Sequence, residues 1–266
     1  MREPSDILVL CYHAVSSTWP IGMAIPPNRL AEQTRWLLDK GYEPATFHDA
    51  VVSPPSRKTF SVTFDDGFRS VYEHGFPVLK QLGVPATVFV STDFMECPDE
   101  PPVGPGLVPF LDSEYAPELR CMTWDQAREL QDAGWEIASH GVSHPYMTRI
   151  DDTELARQMT ESKRRCEEVL ETPCRTLAYP MGDFDARVVR FAREAGYIAA
   201  GTLPDRFERA PSLLEWPRVS VQRDDSLKMF RLKVSPTIRR LRTTPAWVTV
   251  NRARKSALKF VRRRPS

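Results

Sequence analysis

The chain has 266 residues, 41% hydrophobic and 27% charged. That ordinary globular balance excludes a wholly disordered or fibrous protein, and no apolar run approaches the roughly 20 residues of a membrane-spanning helix. The formal charge of +1 conceals an asymmetry: residues 228–266 hold 13 basic and no acidic residues, which leaves the first 227 with 23 basic against 35 acidic, a formal −12.

The predicted elements alternate between short apolar strands and amphipathic helices. Residues 7–12 (ILVLCY) read as a buried strand. Asn28 is expected to cap a helix through Lys40, with Gly41 as its stop. Strand 59–64 (TFSVTF), helix 70–82, strand 86–91 and helix 123–133 follow, then strand 136–139, the long charged helix 151–170, strand 176–179, helix 185–195 and strand 198–202. A last strand is expected at 218–221. Repeated strand–helix units imply a parallel α/β sheet, closed or open, with sites at the carboxyl ends of the strands.

Two regions stand apart. Residues 93–122 are proline-rich and separate a strand from its helix, so they read either as a flank of the cleft or as a surface insertion. The basic extension, residues 228–266, follows a body of residues 1–227. It suits an anionic membrane surface, or the acidic body itself, and Ala253, Ala257, Phe260 and Val261 recur at helical spacing among its cations. No recognition motif accompanies the charge, so nucleic acid is not expected as a partner. Glu3 and Asp6 stand before the first apolar run and no cleavage site follows. The expected location is therefore cytoplasmic, peripheral at the inner face of the membrane if the extension binds lipid. Five cysteines without a C-x-x-C pair read as reduced thiols, and Cys11 as packing rather than as a nucleophile.

Unusual polar clusters follow the strands. T-F-D-D-G-F puts two adjacent carboxylates, Asp65 and Asp66, at a strand end. Their mutual repulsion calls for a cation or a shared proton, though Asp-Asp-Gly is also a common turn. S-H-G-V-S-H spaces His140 and His144 at i, i+4, which on a helical turn places both rings on one face, as two ligands of one metal or as a surface coincidence. One carboxylate and two imidazoles would leave a metal position open, with the second aspartate free as a base. In L-A-Y-P-M-G-D-F, Tyr179 and Pro180 end a strand, and Gly182 permits a tight loop able to aim a backbone N–H at an oxyanion. His13 ends the first strand, as a core histidine or as an acid–base group.

Together T-F-D-D-G, S-H-x-x-x-H and Y-P-x-G resemble the polysaccharide deacetylase family, carbohydrate esterase family four, from about residue 7 to 221. The segment W-D-Q-A-R-E-L-Q-D-A-G-W-E-I-A-S-H is similar to the helix that leads into the family's histidine motif. The resemblance implies a deformed, incomplete (β/α) barrel of about seven parallel strands in a single domain. It also implies metal-dependent removal of an N-acetyl group from an amino sugar. It assigns Asp65 as base, Asp66, His140 and His144 as ligands of a divalent metal (usually zinc, with cobalt or nickel as alternatives), and the N–H of Met181 to the oxyanion. Asp183 is expected at the substrate. No histidine follows His144, where many members place a general acid. A subgroup similar to the poly-N-acetylglucosamine deacetylases takes this histidine from an N-terminal Y-H segment, which Tyr12-His13 matches. The arginine that positions the base is missing from the Y-P-x-G segment, and Arg218 in W-P-R-V-S-V is the expected substitute. The competing readings are a metal-containing glycan-binding module without catalysis, and a deacylase or deformylase acting on a lipid-linked sugar.

Overall fold

The computed structural model describes residues 5–102, 107–204, 207–208, 210–244 and 247. Six parallel strands, Asp6–Tyr12, Lys58–Phe64, Ala86–Val90, Glu136–Ser139, Thr176–Ala178 and Ala199–Thr202, pair in sequence order. They are buried over nearly their whole length, as strands covered on both faces must be. One extended segment then spans the remaining gap. Trp216–Pro217 pairs with the sixth strand (Trp216 opposite Gly201) and Val219–Ser220 with the first (Leu10 opposite Val219). The result is a deformed, nearly closed (β/α) barrel in a single α/β domain.

Alternation divides the strand residues between two cores. Leu8, Leu10, Phe60, Val62, Val88 and Leu177 face the surrounding helices. Val9, Phe89, Ala138, Ala178 and Ala199 join Phe47, Ala50 and Val51 of the helix Phe47–Val52 in the second core, inside the barrel. That helix docks through Phe47 N–H on Thr87 Oγ1 (2.7 Å) and His48 N–H on Glu136 Oε2 (2.9 Å). Three of the interior strand side chains, Ala138, Ala178 and Ala199, are alanines, so space remains inside for one large group.

Several local expectations change. The first helix is Pro27–Asp39, capped by Pro26 rather than Asn28: Pro27 takes the first turn, where no N–H partner is needed. The helix expected at 70–82 opens with a π-turn, Val71–Gly75, before Phe76–Gln81; Pro77 has no N–H with which to continue an upstream ladder. The last strand does not contain Arg218, which stands between the two short pairings. Helix Trp124–Asp132 has a full capping box from Thr123 and Gln126, and Asp151 and Asp185 cap the helices that follow them. The basic extension begins with two helices, Leu227–Val234 and Pro236–Leu241, docked by buried Phe230 and Val234 and by ion pairs from Lys233 to Asp225 and Arg239 to Asp6. The helix expected among residues 252–264 lies outside the described residues. No helix among the described residues is long and apolar enough to cross a membrane.

The long helix Asp152–Leu170 ends on Glu171 in the left-handed conformation (φ 53°), where glycine is the unstrained choice. Glu171→Gly is expected to stabilise the fold by about 0.5–1 kcal/mol, read as a raised urea midpoint at unchanged slope.

Candidate active site

Strand ends bring the polar clusters to one mouth of the barrel. Asp65 and Asp66 follow the second strand, His140 the fourth, Met181 the fifth and His13 the first. All of them border one cavity of about 220 Å³. His144 Nε2 lies 3.3 Å and His140 Nε2 3.6 Å from the same oxygen, Asp66 Oδ1. The three ligand atoms fall within 4.8 Å of one another. Ligands tetrahedrally arranged at about 2.0–2.1 Å from a zinc stand about 3.3–3.4 Å apart, so the donor set has the right span. His140 Nδ1–H donates to the Ala178 carbonyl at 2.8 Å, which fixes the tautomer and leaves Nε2 as a lone-pair donor. Burial, reinforced by His144 and opposed by Asp65, brings the His140 conjugate acid down to about 4, so the ring is neutral at pH 7 as a ligand must be.

The two histidines do not share a helical turn. Residues 140–146 form a loop, and the rings meet (centroids 4.8 Å apart) because Gly141 (φ 79°) reverses the chain and His144 (φ 57°) turns it back. A Cβ on Gly141 would stand 3.0 Å from Met147 Cε and 3.1 Å from Gln158 Oε1. Gln158, fully buried on the long helix, holds this loop: its Oε1 accepts from Val142 and Ser143 N–H (2.7 and 3.1 Å).

Asp65 is fixed from the opposite side. Arg218 enters the barrel at its seam, stacks over Phe89 (5.2 Å), and donates to both carboxylate oxygens at 2.6 and 2.8 Å, with Thr63 Oγ1 at 3.1 Å. Both partners are buried. Burial alone would raise the Asp65 carboxyl, but the Arg218 charge prevails and holds it well below the usual carboxylate range. Cys11 Sγ–H also faces Asp65 Oδ2 (3.4 Å), and burial pushes this thiol up, so it is a weak donor rather than a nucleophile. All five cysteines are free thiols.

The Y-P-x-G loop divides. Met181 (φ 57°) and Gly182 border the cavity. Tyr179 is buried, its hydroxyl on the Leu214 carbonyl at 3.0 Å, and Pro180 is buried as well. Asp183 does not border the cavity: both its oxygens accept from Thr148, through N–H and Oγ1, at 2.8–3.0 Å. It pins a neighbouring loop.

A family model described as polysaccharide deacetylase matches residues 53–200, more than half of the chain. The chain belongs to the polysaccharide deacetylase family. A Bacillus subtilis (strain 168) protein named as a polysaccharide deacetylase, YxkH, is 24% identical over 226 residues, covering 83% of this chain and 73% of that one. Poly-beta-1,6-N-acetyl-D-glucosamine N-deacetylase of Escherichia coli (strain K12) is 26% identical over 245 residues, 80% of this chain and 36% of that enzyme, so the chain spans about a third of it. Among solved structures, the Streptococcus pyogenes deacetylase PplD in complex with acetate matches with a TM-score of 0.72 at 22% identity, covering 88% of this chain and 100% of that one, which shows the shared fold. The family's deacetylases are metal-dependent, and among the described residues two clusters have the span to hold an ion, Asp66–His140–His144 and Cys11–His13–Asp65.

Sequence reading missed Gln158, Gly201 and the cavity's apolar wall. The Arg218 stem passes so close to Gly201 that a Cβ there would meet Nε at 2.7 Å and Cδ at 2.8 Å. Gly201→Ala is therefore expected to displace the guanidinium and lower turnover while metal content stays unchanged. Arg218→Met, which leaves a buried carboxylate unpaired, is expected to cost about 3–5 kcal/mol in denaturant unfolding.

Proposed function

We propose that the protein is a metal-dependent hydrolase that removes an N-acetyl group from an amino sugar in a glycan or glycoconjugate. The observation that carries this reading is the convergence of Asp65, Asp66, His13, His140 and His144 on one cavity. Asp66, His140 and His144 would hold a divalent cation, zinc by its ligand set, with cobalt or nickel as alternatives. When bound, the ion polarises the amide carbonyl and lowers the pKa of water toward 7.

The chain's own residues do the rest. Asp65, kept anionic by Arg218, aligns the attacking water and takes its proton. His13 protonates the leaving nitrogen, because an amide nitrogen leaves poorly as an anion. The N–H of Met181 faces the developing oxyanion from the loop after the fifth strand. The products are a free amine on the sugar and acetate.

A glycan-binding module without catalysis would need the ligand set but not the rest. A buried Asp65–Arg218 pair carries a desolvation cost that metal holding does not require, which favours an enzyme. The test is amine release from N-acetylated amino sugars with and without chelator, alongside metal analysis of the purified protein. Asp66→Asn and His140→Ala are expected to lose metal and activity together. His13→Phe is expected to keep metal and slow turnover by about 10²–10⁴-fold. An unchanged rate in His13→Phe would remove it as the acid.

A further inference from the structure

The cavity's polar side chains, among the described residues, are His13, Asp65, Asp66, His140 and His144, each already engaged in metal holding or proton transfer in the proposed reaction. The wall around them is apolar: Ile21, Met23, Phe94, Pro102, Leu107 and Leu203. A sugar hydroxyl pressed against such a wall loses its water and gains no partner, which disfavours a substrate that meets the wall with hydroxyls.

The wall is built into the fold. Arg223 ties down the loop that carries Ile21 and Met23: its backbone N–H donates to the Gly22 carbonyl (2.7 Å), and its guanidinium to the Ser16, Ser17 and Ala24 carbonyls (2.8–3.0 Å). The same loop is joined to the proline-rich segment. Buried Trp19 meets Phe110 edge-on at 5.6 Å, and Glu118 accepts from Ser16 and Thr18 hydroxyls at 2.7 and 2.5 Å. Phe94, Pro102 and Leu107 come from that segment, and Leu203 from the end of the sixth strand, so separate parts of the chain supply apolar surface to one pocket.

We infer that the substrate presents an apolar group beside the scissile amide: an N-acyl chain longer than acetyl, or an apolar aglycone on the acylated amino sugar. This rests on the hydrolase reading above: an apolar aglycone keeps acetyl as the group released, whereas a longer acyl chain replaces it. The reaction remains amide hydrolysis: the C–N bond breaks, water's oxygen bonds to the acyl carbon, and its protons end on the amine and in solution, giving a carboxylate and a free amino sugar.

Two substrate series on the metal-loaded enzyme locate the apolar group. One is glucosamine N-acylated with acetyl, butanoyl or hexanoyl; the other is N-acetylglucosamine as its methyl, butyl or hexyl glycoside. An N-acetylglucosamine tetramer is the polar comparison. One series is expected to rise in kcat/KM by up to about fourfold per buried methylene and to exceed the tetramer. Leu107→Ser is expected to flatten that rise. A rise in the first series assigns the wall to the acyl chain, and in the second to the aglycone. Flat series with the tetramer preferred would overturn the inference. Calorimetric binding of methyl and hexyl glucosaminide, and of methyl N-acetyl- and N-hexanoylglucosaminide, to metal-free protein gives a reading that needs no turnover. Equal affinities within both pairs overturn the inference, whereas tighter hexyl or hexanoyl binding without amine release from any substrate would refute the hydrolase and leave the apolar subsite standing.

Discussion

The barrel is organised around one buried ion pair. Arg218 stands where the sheet closes, between two short pairings that bind the first and sixth strands into a ring. Its own N–H donates to the Thr202 carbonyl, and Val221 N–H to that of Cys11, so the backbone that carries the arginine is held from both edges. The side chain then runs inward over Gly201 and Phe89 to Asp65. A guanidinium can occupy a barrel interior only where small residues leave room and a carboxylate offsets its desolvation. Ala138, Ala178, Ala199 and Gly201 provide the room, and Asp65 the charge. Closure of the fold and orientation of a site residue are thus one construction.

Strain gathers at the same mouth. Among the described residues four non-glycine residues have positive φ, and three of them, Asp66, His144 and Met181, border the cavity; the fourth is the helix cap Glu171. Left-handed backbone costs a β-carbon-bearing residue free energy, and such residues persist where surroundings over-determine them. Here the surroundings can be named. Gln158 holds the loop before His144, and Asp183 ties the Met181 turn to Thr148.

Much of this was legible in the sequence. Apolar runs marked the six strands to within a residue or two, and rare polar groups after them marked the mouth. What was not legible is what depends on distant parts of the chain. His140 and His144 have a helical spacing but meet through a glycine reversal, because no helix can form where the chain must turn at Gly141. Arg218 read as strand, yet it interrupts the ladder: only residues on either side of it pair. Asp183 sits in the motif but spends both oxygens on Thr148, a partner 35 residues away. The apolar wall draws on residues 21, 23, 94, 102, 107 and 203, and no local pattern joins them.

The adjacent carboxylates illustrate how one dipeptide is divided by its environment. Both are buried, and burial by itself would push the Asp65 carboxyl up. Asp65 escapes that by pairing with a fixed internal cation, and becomes a weak base in consequence. Asp66 has no arginine; its oxygen faces two imidazoles, neither of which is a permanent charge. In the reaction proposed above, an ion between them would offset the Asp66 charge and at the same time acidify the water whose proton Asp65 would take. A base held this acidic is effective only toward a proton already loosened, so under that proposal the arginine inside the barrel would call for a cation at its mouth.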